Sequence, residues 1–527
     1  MINRGPGTSW GYEVTRGRAG GRDALVFAHS PAGAGAMLRD VLRWGDRECL
    51  VLGGERVTYR DLGGAVDALC SELAVRGLAP GDRIALTGSA GPLWVIALWS
   101  CLRAGLVAVP CDLRWATEEQ ERVARLVGPR LQIGDAALAG CPAPRIASVP
   151  SRPVPATGPP SVGTRPAPAE PAPALILFTA GTSGPPKGVV LSSAALVAGI
   201  QNMLAARRLL PCDLSDDHVG PVSLITLPLF HIGGITTVIA SMLCGGRLIF
   251  AGPRFDPGEV LRLIECEKVT TWGAIPTMVR RAIEESTVRR HDLSSLRSLM
   301  IGGAQVATDL AREAADVFPR IRFSAGNTYG LTEACGHVAT ATGREVGVHP
   351  GCSGRPLPTC ELRIGPAPEV PAGQGEILVR SPSLLTSYWG ERDSPVDAGG
   401  WLHTGDFGYL DGDGRLYVVG RLKDIIIRGG ENVSAVRVEH CLLTHPGVHD
   451  VAVVGLPSQD LGEEVAAAVV PKPGHRLDRA ELAIHAAAQL SRFEVPTRWW
   501  IRETALPLNS AGKILKRQVR TTWPPGC

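Results

Sequence analysis

The stretch ALILFTAGTSGPPKGVVL, residues 174–191, places a loop of small and hydroxyl-bearing residues between two apolar runs. The runs 174–178 and 189–191 predict two buried strands. The loop between them, 179–188, contains three glycines, three hydroxyl side chains, two prolines and one lysine. Glycines after a buried strand let backbone N–H groups approach phosphate oxygens, and hydroxyls and a lysine add further donors. The stretch therefore favours a phosphate-binding loop that joins two strands.

This loop differs from the best-known phosphate-binding motif. Lys187 is followed by a glycine rather than by serine or threonine, and the first glycine spacing differs from that of a Walker A loop. A flexible surface turn is the competing interpretation, and the loop alone leaves both open. The side chains that fit phosphate binding are Thr179, Thr182, Ser183 and Lys187.

Length and composition limit the function classes. A chain of 527 residues is too long for a single hydrophobic core, so two or more domains are expected. The net charge of +3 argues against nucleic acid as the main partner. The 13 cysteines show no zinc-site spacing, which predicts reduced and mostly buried thiols.

The sequence predicts a cytoplasmic protein without a membrane span. Residues 1–14 contain no apolar segment of the kind found in signal peptides. The most apolar segment, 92–102, is too short to cross a bilayer and is followed by Arg103.

Predicted elements divide the chain into two domains of an α/β protein. Over 1–420, short strands alternate with amphipathic helices, which predicts a large domain of mixed sheets with packed helices. Within it, the proline-rich segment 141–173 is expected to be an exposed loop. Over 421–527, a strand pair, a helix and a further strand predict a small α+β domain.

Five stretches in order carry a resemblance to a known family. The loop 179–188 resembles the signature of the adenylate-forming superfamily, which includes acyl-CoA synthetases, peptide-synthetase adenylation domains and luciferases. The four other stretches are PLFHIGG (228–234), YGLTE (329–333), TGD (404–406) with GRLKD (420–424), and LPLNSAGK (506–513). The spacing and the stretch IIIRGGENV (425–433) are most similar to acyl-CoA synthetases that act on fatty or aromatic acids.

The resemblance implies a two-step reaction with ATP, Mg²⁺ and coenzyme A. A carboxylate attacks the α-phosphate of ATP to give acyl-AMP and pyrophosphate, and the thiol of coenzyme A then displaces AMP. It also implies that the small domain is mobile and rotates about Lys423 between the two steps. That rotation would exchange Lys513 for the loop 428–432, whose glycines let the pantetheine arm pass close to the backbone.

The resemblance also assigns nucleotide- and cofactor-binding residues. Lys187 would bind the β- and γ-phosphates, and Ala180 stands where the family usually has a serine. Tyr329 would stack on adenine, while Asp406 and Arg421 would bind the ribose. The full set is Thr179, Gly181, Thr182, Ser183, Gly184, Lys187, Gly303, Ala304, Asn327, Tyr329, Gly330, Thr332, Asp406, Arg421, Gly429, Gly430 and Lys513.

Four residues are assigned to the chemistry. Lys513 would bridge the α-phosphate and the substrate carboxylate, and Thr332 would bond the α-phosphate. Glu333 would be the metal ligand for Mg²⁺. His231 would gate the acyl pocket rather than act as a general base, although a histidine beside an apolar run is more often a packed core residue.

The acyl pocket is predicted from small and apolar residues. Its members are His231, Ile232, Gly233, Gly234, Ala304, Gly326 and Thr328. No charged side chain is obvious among them, which disfavours an amino-acid substrate.

Three alternatives remain open. The chain could load the acyl group onto the phosphopantetheine arm of a carrier protein, because the loop 428–432 suits either acceptor. It could activate an oxyanion other than a carboxylate at the same nucleotide site. It could also be a non-catalytic nucleotide-binding regulator, which is disfavoured by the presence of Lys187, Glu333, Asp406, Arg421 and Lys513.

Overall fold

The structure is a computed structural model that describes most of the chain. The described residues are 9–148, 172–179, 186–252, 254–301, 308–325, 328–341, 345, 348–349, 351–367, 370, 373–391, 393–508 and 514–525.

Strands up to residue 325 form a hairpin and two large sheets. The hairpin pairs β1 (Val14–Ala19) with β2 (Arg22–Phe27). The strands that follow are β3 (Glu48–Leu52), β4 (Glu55–Thr58), β5 (Arg83–Thr87), β6 (Val107–Pro110), β7 (Leu131–Gly134), β8 (Arg145–Ile146), β9 (Pro173–Thr179), β10 (Lys187–Ser192), β11 (Val222–Ile225), β12 (Arg247–Phe250), β13 (Thr271–Ala274), β14 (Ser298–Ile301) and β15 (Arg322–Ala325).

Strands from residue 328 to 421 form the third sheet, except the strand Ser387–Tyr388, which joins the first sheet. They are β16 (Thr328–Tyr329), β17 (Ala339–Thr340), β18 (Cys352–Pro356), β19 (Glu361–Gly365), β20 (Gly375–Arg380), β21 (Ser387–Tyr388), β22 (Leu402–Leu410) and β23 (Leu416–Arg421). The strand order is β21-β10-β9-β6-β5-β7-β8 in the first sheet, β15-β14-β13-β11-β12-β3-β4 in the second, and β16-β17-β18-β23-β22-β20-β19 in the third.

The helices of this part pack around and between the first two sheets. They are α1 (Met37–Leu42), α2 (Tyr59–Val75), α3 (Pro92–Ala104), α4 (Thr117–Val127), α5 (Ser193–Ala206), α6 (Ile232–Leu243), α7 (Pro257–Cys266), α8 (Pro276–Glu284) and α9 (Thr308–Val317). Helices α3, α5 and α6 are almost entirely buried, since they contact strands of the first two sheets. This explains why the apolar segment 92–102 is a core helix.

The C-terminal part forms a five-stranded sheet with three helices. Its elements are β24 (Ile425–Arg428), β25 (Glu431–Ser434), α10 (Ala435–Leu443), β26 (Val448–Ser458), β27 (Gly462–Pro471), α11 (Arg479–Ala487), β28 (Arg498–Ile501) and α12 (Lys516–Thr521). The chain passes from the third sheet to this one through a short turn of helix, Leu422–Asp424. The observed class is mixed α/β sheets with packed helices followed by a small α+β unit, which confirms the predicted fold class.

Two local sequence patterns differ from the structure. The stretch RVTYRDL, residues 56–62, predicts a strand, but β4 ends at Thr58 and α2 begins at Tyr59. Thr58 and Asp61 form a capping box that starts the helix there. The spacing of Asp478 and Glu481 predicts a capping box at the start of α11; Asp478 caps this helix, whereas the carboxylate of Glu481 contacts His445 instead.

The cysteines and the helix lengths are further features of the described residues. All cysteines in the described ranges are free thiols, and most of them are buried. Burial raises the pKa of thiols such as Cys49 to about 12, so they stay protonated. No helix in the described part of the chain is long and apolar enough to cross a membrane.

Candidate active site

The predicted phosphate loop is carried by a hairpin between β9 and β10. The antiparallel register places Lys187 directly opposite Thr179, so both residues stand at the base of the loop. Residues 180–185, which include Gly181, Thr182, Ser183 and Gly184, lie outside the described residues. The strand–loop–strand arrangement predicted around this stretch is confirmed by the two flanking strands.

Lys187 makes two contacts that the sequence did not indicate. Its Nζ lies 3.0 Å from Oε1 of Glu391. The same Nζ lies 4.7 Å from the centre of the Tyr388 ring, which is a cation–π distance. The side chains of Lys187 and Glu391 keep 52% and 41% of their surfaces exposed, so a ligand can reach this cation.

Tyr388 links this cation to the YGLTE stretch. The short strand β21 pairs with β10 and sets Tyr388 opposite Val189. The Tyr388 hydroxyl donates a hydrogen bond of 3.1 Å to Oε1 of Glu333. Burial and the charge on Glu333 raise the pKa of Tyr388, so the phenol remains a donor. Lys187 and Glu333, separated by nearly 150 residues of sequence, are therefore connected through one tyrosine.

A second cluster joins Tyr329, Asp406 and Arg421. The buried Tyr329 hydroxyl donates to Oδ2 of Asp406 at 2.9 Å. Nε of Arg421 lies 2.9 Å from Oδ1 of the same carboxylate. Burial and the nearby charge on Asp406 raise the pKa of Tyr329. The structure thus brings together the three residues that were assigned to adenine and ribose.

The third sheet fixes this cluster through its register. Strands β22 and β23 are antiparallel and place Asp406 directly opposite Arg421. The Thr404 hydroxyl accepts a hydrogen bond from the Asp406 backbone N–H at 3.1 Å. The turn-rich sequence around Asp406 would also suit a plain turn aspartate, but the residue lies within a strand, with its side chain only 8% exposed.

The YGLTE stretch turns tightly at Gly330. A Cβ atom at this position would lie 1.6 Å from the carbonyl oxygen of Gly336, so only glycine fits. Thr332 and Glu333 then begin a short 3₁₀ helix, Thr332–Ala334. The backbone carbonyl of Glu333 accepts a hydrogen bond from the N–H of Leu385 at 2.8 Å, which ties this helix to the segment that carries Tyr388.

The predicted acyl-pocket residues at the start of α6 face different surroundings. His231 is the N-cap residue of α6, and its ring lies 4.6 Å from that of Phe230. A Cβ atom at Gly233 would meet nothing within 4 Å, whereas one at Gly234 would lie 2.6 Å from the carbonyl oxygen of Pro228. Gly233 therefore borders open space, and Gly234 is needed for a close backbone approach.

The start of α6 lies against the loop that follows YGLTE. A methyl group built on Gly336 would lie 3.6 Å from Cγ1 of Ile232. Thr328 stands on β16, where its hydroxyl lies 3.1 Å from that of Thr340. Ile232 and Thr328 are thus placed near the nucleotide residues. Gly303, Ala304, Gly326 and Asn327 fall outside the described residues.

The predicted coenzyme A loop is a two-residue hairpin turn between β24 and β25. Gly429 and Gly430 have φ values of 58° and 86°, the left-handed pair that a type I′ turn requires. The N–H of Gly429 donates to the carbonyl of Leu461 at 2.8 Å, which joins the hairpin to β27. Lys423 lies in the turn of helix just before β24.

Lys513 falls in the segment 509–513, outside the described residues, but the chain on both sides is ordered into one unit. Leu508 and Ile514 form an antiparallel bridge. A lysine this close to the end of the sequence is by default a solvated residue, but Lys516 forms an ion pair of 2.8 Å with Glu439 on α10 and is only 23% exposed. This contact holds α12 against the small sheet.

The residues missed from the sequence are Tyr388 and Glu391. Neither lies in one of the five motifs, and their position depends on strand pairing between β10 and β21. Within the described ranges, no group of three or more His, Cys, Asp or Glu side chains is arranged to hold a metal ion. The described contacts link Glu333 to Lys187 through Tyr388.

Family comparison agrees with both parts of the chain. Residues 38–389 match the model described as AMP-binding enzyme, and residues 437–513 match that of the AMP-binding enzyme C-terminal domain. A feruloyl-CoA synthase from Amycolatopsis sp is 35% identical over 479 residues, covering 89% of this chain and 94% of the relative. A fatty acid–[acyl-carrier-protein] ligase, ScoC, from Streptomyces coeruleorubidus is 32% identical, with 89% and 92% covered.

Solved structures that resemble this chain belong to ligases as well. The o-succinylbenzoate CoA synthetase (MenE) from Bacillus subtilis, in complex with its acyl-adenylate intermediate, has a TM-score of 0.77 and 26% identity, covering 92% of this chain and 97% of that one. The amide bond synthetase McbA from Marinactinospora thermotolerans has a TM-score of 0.78 and 29% identity, with 93% and 100% covered. The chain therefore belongs to the AMP-binding enzyme family, as an adenylate-forming ligase of the acyl-CoA synthetase type.

Proposed function

We propose that this ligase activates an aromatic carboxylic acid with ATP and transfers the acyl group to coenzyme A. The observation that carries the proposal is the pair of clusters around the stretch 328–336. Lys187, Tyr388 and Glu333 lie on one side, and Tyr329, Asp406 and Arg421 lie on the other. The aromatic class is supported by relatives named feruloyl-CoA synthase and indoleacetate–CoA ligase, at 35% and 31% identity.

The first cluster suits a polyphosphate with its magnesium ion. The exposed ammonium group of Lys187 supplies a point charge for phosphate oxygens. Glu333 supplies one carboxylate, which fits Mg²⁺ because that ion is usually held by one or two carboxylates, water and substrate phosphates. When bound, the ion neutralises charge on the phosphates. The Tyr388 hydroxyl orients the carboxylate of Glu333 for this role.

The second cluster suits the nucleoside. Among its described contacts, Oδ2 of Asp406 accepts a hydrogen bond from Tyr329 and Oδ1 is ion-paired with Arg421. A carboxylate offers about four lone-pair sites, so both oxygens can still accept from the two ribose hydroxyls. Arg421 holds the carboxylate in one orientation, while the ring of Tyr329 is the surface proposed to stack on adenine.

The remaining roles complete the two steps. Thr332 and Lys513 would bind the α-phosphate while the acid attacks phosphorus. After rotation about Lys423, the hairpin turn at Gly429 and Gly430 would border the pantetheine arm. The thiol sulfur then bonds to the acyl carbon, and AMP leaves with the oxygen that the acid contributed.

A carrier protein is a second candidate acceptor. One specific observation favours it: the relative ScoC is named as a fatty acid–[acyl-carrier-protein] ligase. The carrier would present the same phosphopantetheine thiol as coenzyme A. A direct comparison of the two acceptors therefore decides between them.

The proposal is tested with a panel of acids in two assays. We expect ATP–pyrophosphate exchange that depends on the acid and Mg²⁺, and formation of AMP and a thioester when free coenzyme A is added. Aromatic acids should be turned over faster than fatty acids of similar length. The enzyme could show exchange but form no thioester with free coenzyme A. If a phosphopantetheinylated carrier then accepted the acyl group, the carrier rather than coenzyme A would be the acceptor. Release of ADP would contradict it.

A further inference from the structure

One helix, α4, contacts both chain segments that carry the contacts of Lys187. The first segment is the start of β10, where Lys187 follows Pro186. The second is β21 with the residues after it, where Trp389 stands between Tyr388 and Glu391. Helix α4 lies outside the five sequence motifs. Its contacts with these two segments are therefore a property of the fold that the motifs do not reveal.

Arg122 on α4 binds the backbone next to Lys187. Its Nη2 donates a hydrogen bond of 2.9 Å to the carbonyl oxygen of Pro186. This carbonyl and the nitrogen of Lys187 belong to one planar peptide unit, so the bond fixes the plane from which Lys187 extends. Glu119, one turn earlier on the helix, accepts from Nε and Nη2 of Arg122 at 3.0 and 2.6 Å. The guanidinium is therefore held between a carboxylate and the Pro186 carbonyl, and the Arg122 side chain is only 32% exposed.

Trp389 binds the C-terminal end of the same helix. Its indole Nε1 donates to the carbonyl oxygen of Leu126 at 3.0 Å. The backbone N–H of Trp389 donates to the carbonyl of Gly188 on β10 at 2.7 Å. The segment that carries Tyr388 and Glu391 is thus attached to α4 on one side and to β10 on the other.

The two attachments act on one ammonium group. Nζ of Lys187 lies 3.0 Å from Oε1 of Glu391 and 4.7 Å from the centre of the Tyr388 ring. The pairing of β9 with β10 ends at the Lys187–Thr179 pair, so the Pro186 carbonyl lies beyond the paired strands, where the Arg122 side chain holds it. A lysine side chain has many rotamers, so its charged end is well placed only where the backbone that carries it is fixed.

We propose that Arg122 is a positioning residue for ATP binding, which holds the backbone of Lys187 so that the ammonium group meets the phosphates. This rests on the proposed function, because Lys187 is the cation assigned to the β- and γ-phosphates. Trp389 fixes Tyr388 and Glu391 against the same helix, so α4 aligns the cation with both of its contacts. Without the Arg122 bond, Lys187 is less well placed and ATP binds more weakly. The reaction of acyl-AMP with coenzyme A involves no β- or γ-phosphate and does not depend on this bond.

Arg122→Met tests the proposal because it keeps an unbranched apolar stem and removes every donor. We expect KM for ATP to rise about fivefold, with KM for the acid unchanged. The rate of thioester formation from synthetic acyl-AMP and coenzyme A should also be unchanged. Arg122→Lys keeps a charged donor and should recover most of the loss. Arg125→Met is the matched control: Arg125 lies on the same helix, is 68% exposed and lies 3.6 Å from Glu121, so KM for ATP should not change.

A double-mutant cycle separates positioning from a general loss of structure. In the Lys187→Gln background, Arg122→Met should raise KM for ATP no further, because its effect passes through Lys187. Melting temperatures show that each variant is folded. If Arg122→Met does not fold, Glu119→Gln gives the same test, with a smaller rise in KM for ATP that also vanishes in the Lys187→Gln background.

The outcomes distinguish this inference from the proposed function. If Lys187→Gln leaves KM for ATP unchanged, the proposed phosphate role of Lys187 fails and the inference fails with it. If Lys187→Gln raises KM for ATP, three results would overturn the inference alone. These are an unchanged KM for ATP in a folded Arg122→Met variant, an equal rise in both backgrounds, and an equal slowing of the reaction from acyl-AMP.

Discussion

Single residues around the nucleotide site are held by partners that the motifs do not contain. Lys187 is paired with Glu391, and Glu333 accepts from Tyr388. Before ATP binds, these partners occupy the groups proposed to hold phosphate and magnesium. The ligand-free site is therefore preorganised, and the ligand must displace only an exposed ion pair.

Glu391→Gln tests this competition. Exposed ion pairs contribute up to about 1 kcal/mol, so removal of the negative charge should lower KM for ATP by no more than about fivefold. Lys187→Gln should raise KM for ATP instead. The control is Glu72→Gln, which breaks the Arg76–Glu72 pair on α2. A rise in KM for ATP in Glu391→Gln would show that Glu391 assists binding.

Gly233→Leu tests the assignment of the acyl pocket. A Cβ atom here meets no neighbour within 4 Å, and replacing a helical glycine stabilises a helix by up to about 1 kcal/mol. We expect an unchanged or higher melting temperature and a loss of about tenfold or more in kcat/KM for aromatic acids. Gly234→Ala should instead lower the melting temperature, because its Cβ would collide with Pro228. Unimpaired turnover of aromatic acids by Gly233→Leu would place the pocket elsewhere.

At the scale of elements, the sequence predicted strands and helices better than their contacts. Apolar runs are local signals, and they located β9 and β10, whereas the capping box at Thr58 that starts α2 was missed. Five motifs led to the residues proposed to bind the nucleotide. Tyr388 and Glu391 were not found, because their positions depend on strand pairing between distant segments. The Lys516–Glu439 pair was missed for the same reason.

The hairpin between β24 and β25 carries the proposed role of the small unit in thioester formation. Gly430→Val places a β-branched residue at φ 86°, which costs about 1–2 kcal/mol. We expect normal ATP–pyrophosphate exchange and slower thioester formation. Gly474→Val is the control, because it introduces the same strain at φ 79° and its Cβ meets no neighbour within 4 Å. It should lower the free energy of unfolding as much as Gly430→Val does, but leave thioester formation unchanged. If Gly430→Val and Gly474→Val both slowed exchange and thioester formation equally, the hairpin would have no specific role in thioester formation.

At the scale of the whole molecule, the large part and the small part of the chain are both proposed to contribute residues to one reaction. The nucleotide clusters belong to the large part, whereas Lys513 and the hairpin turn belong to the small one. The chain joins these parts through the turn of helix that contains Lys423. Two positions of the small part are therefore proposed, one for each step.

Lys513→Ala and Lys423→Pro should separate the two steps. Loss of a charge-assisted bond to the reacting phosphate should slow adenylation by roughly a hundredfold, while synthetic acyl-AMP and coenzyme A still react in Lys513→Ala. Proline at 423 stiffens the backbone and removes an N–H, so adenylation should survive while thioester formation falls. Single-turnover assays of adenylation and of thioester formation measure both effects. Parallel losses in both variants would contradict the two-position account.

The central claim is that the acid attacks the α-phosphate of ATP and leaves one oxygen on AMP. An acid labelled with ¹⁸O in both carboxyl oxygens, incubated with ATP, Mg²⁺ and coenzyme A, tests it by mass spectrometry of the products. The account predicts one ¹⁸O atom in AMP, one in the thioester carbonyl and none in pyrophosphate. Unlabelled AMP, or label in inorganic phosphate alongside ADP, would contradict it.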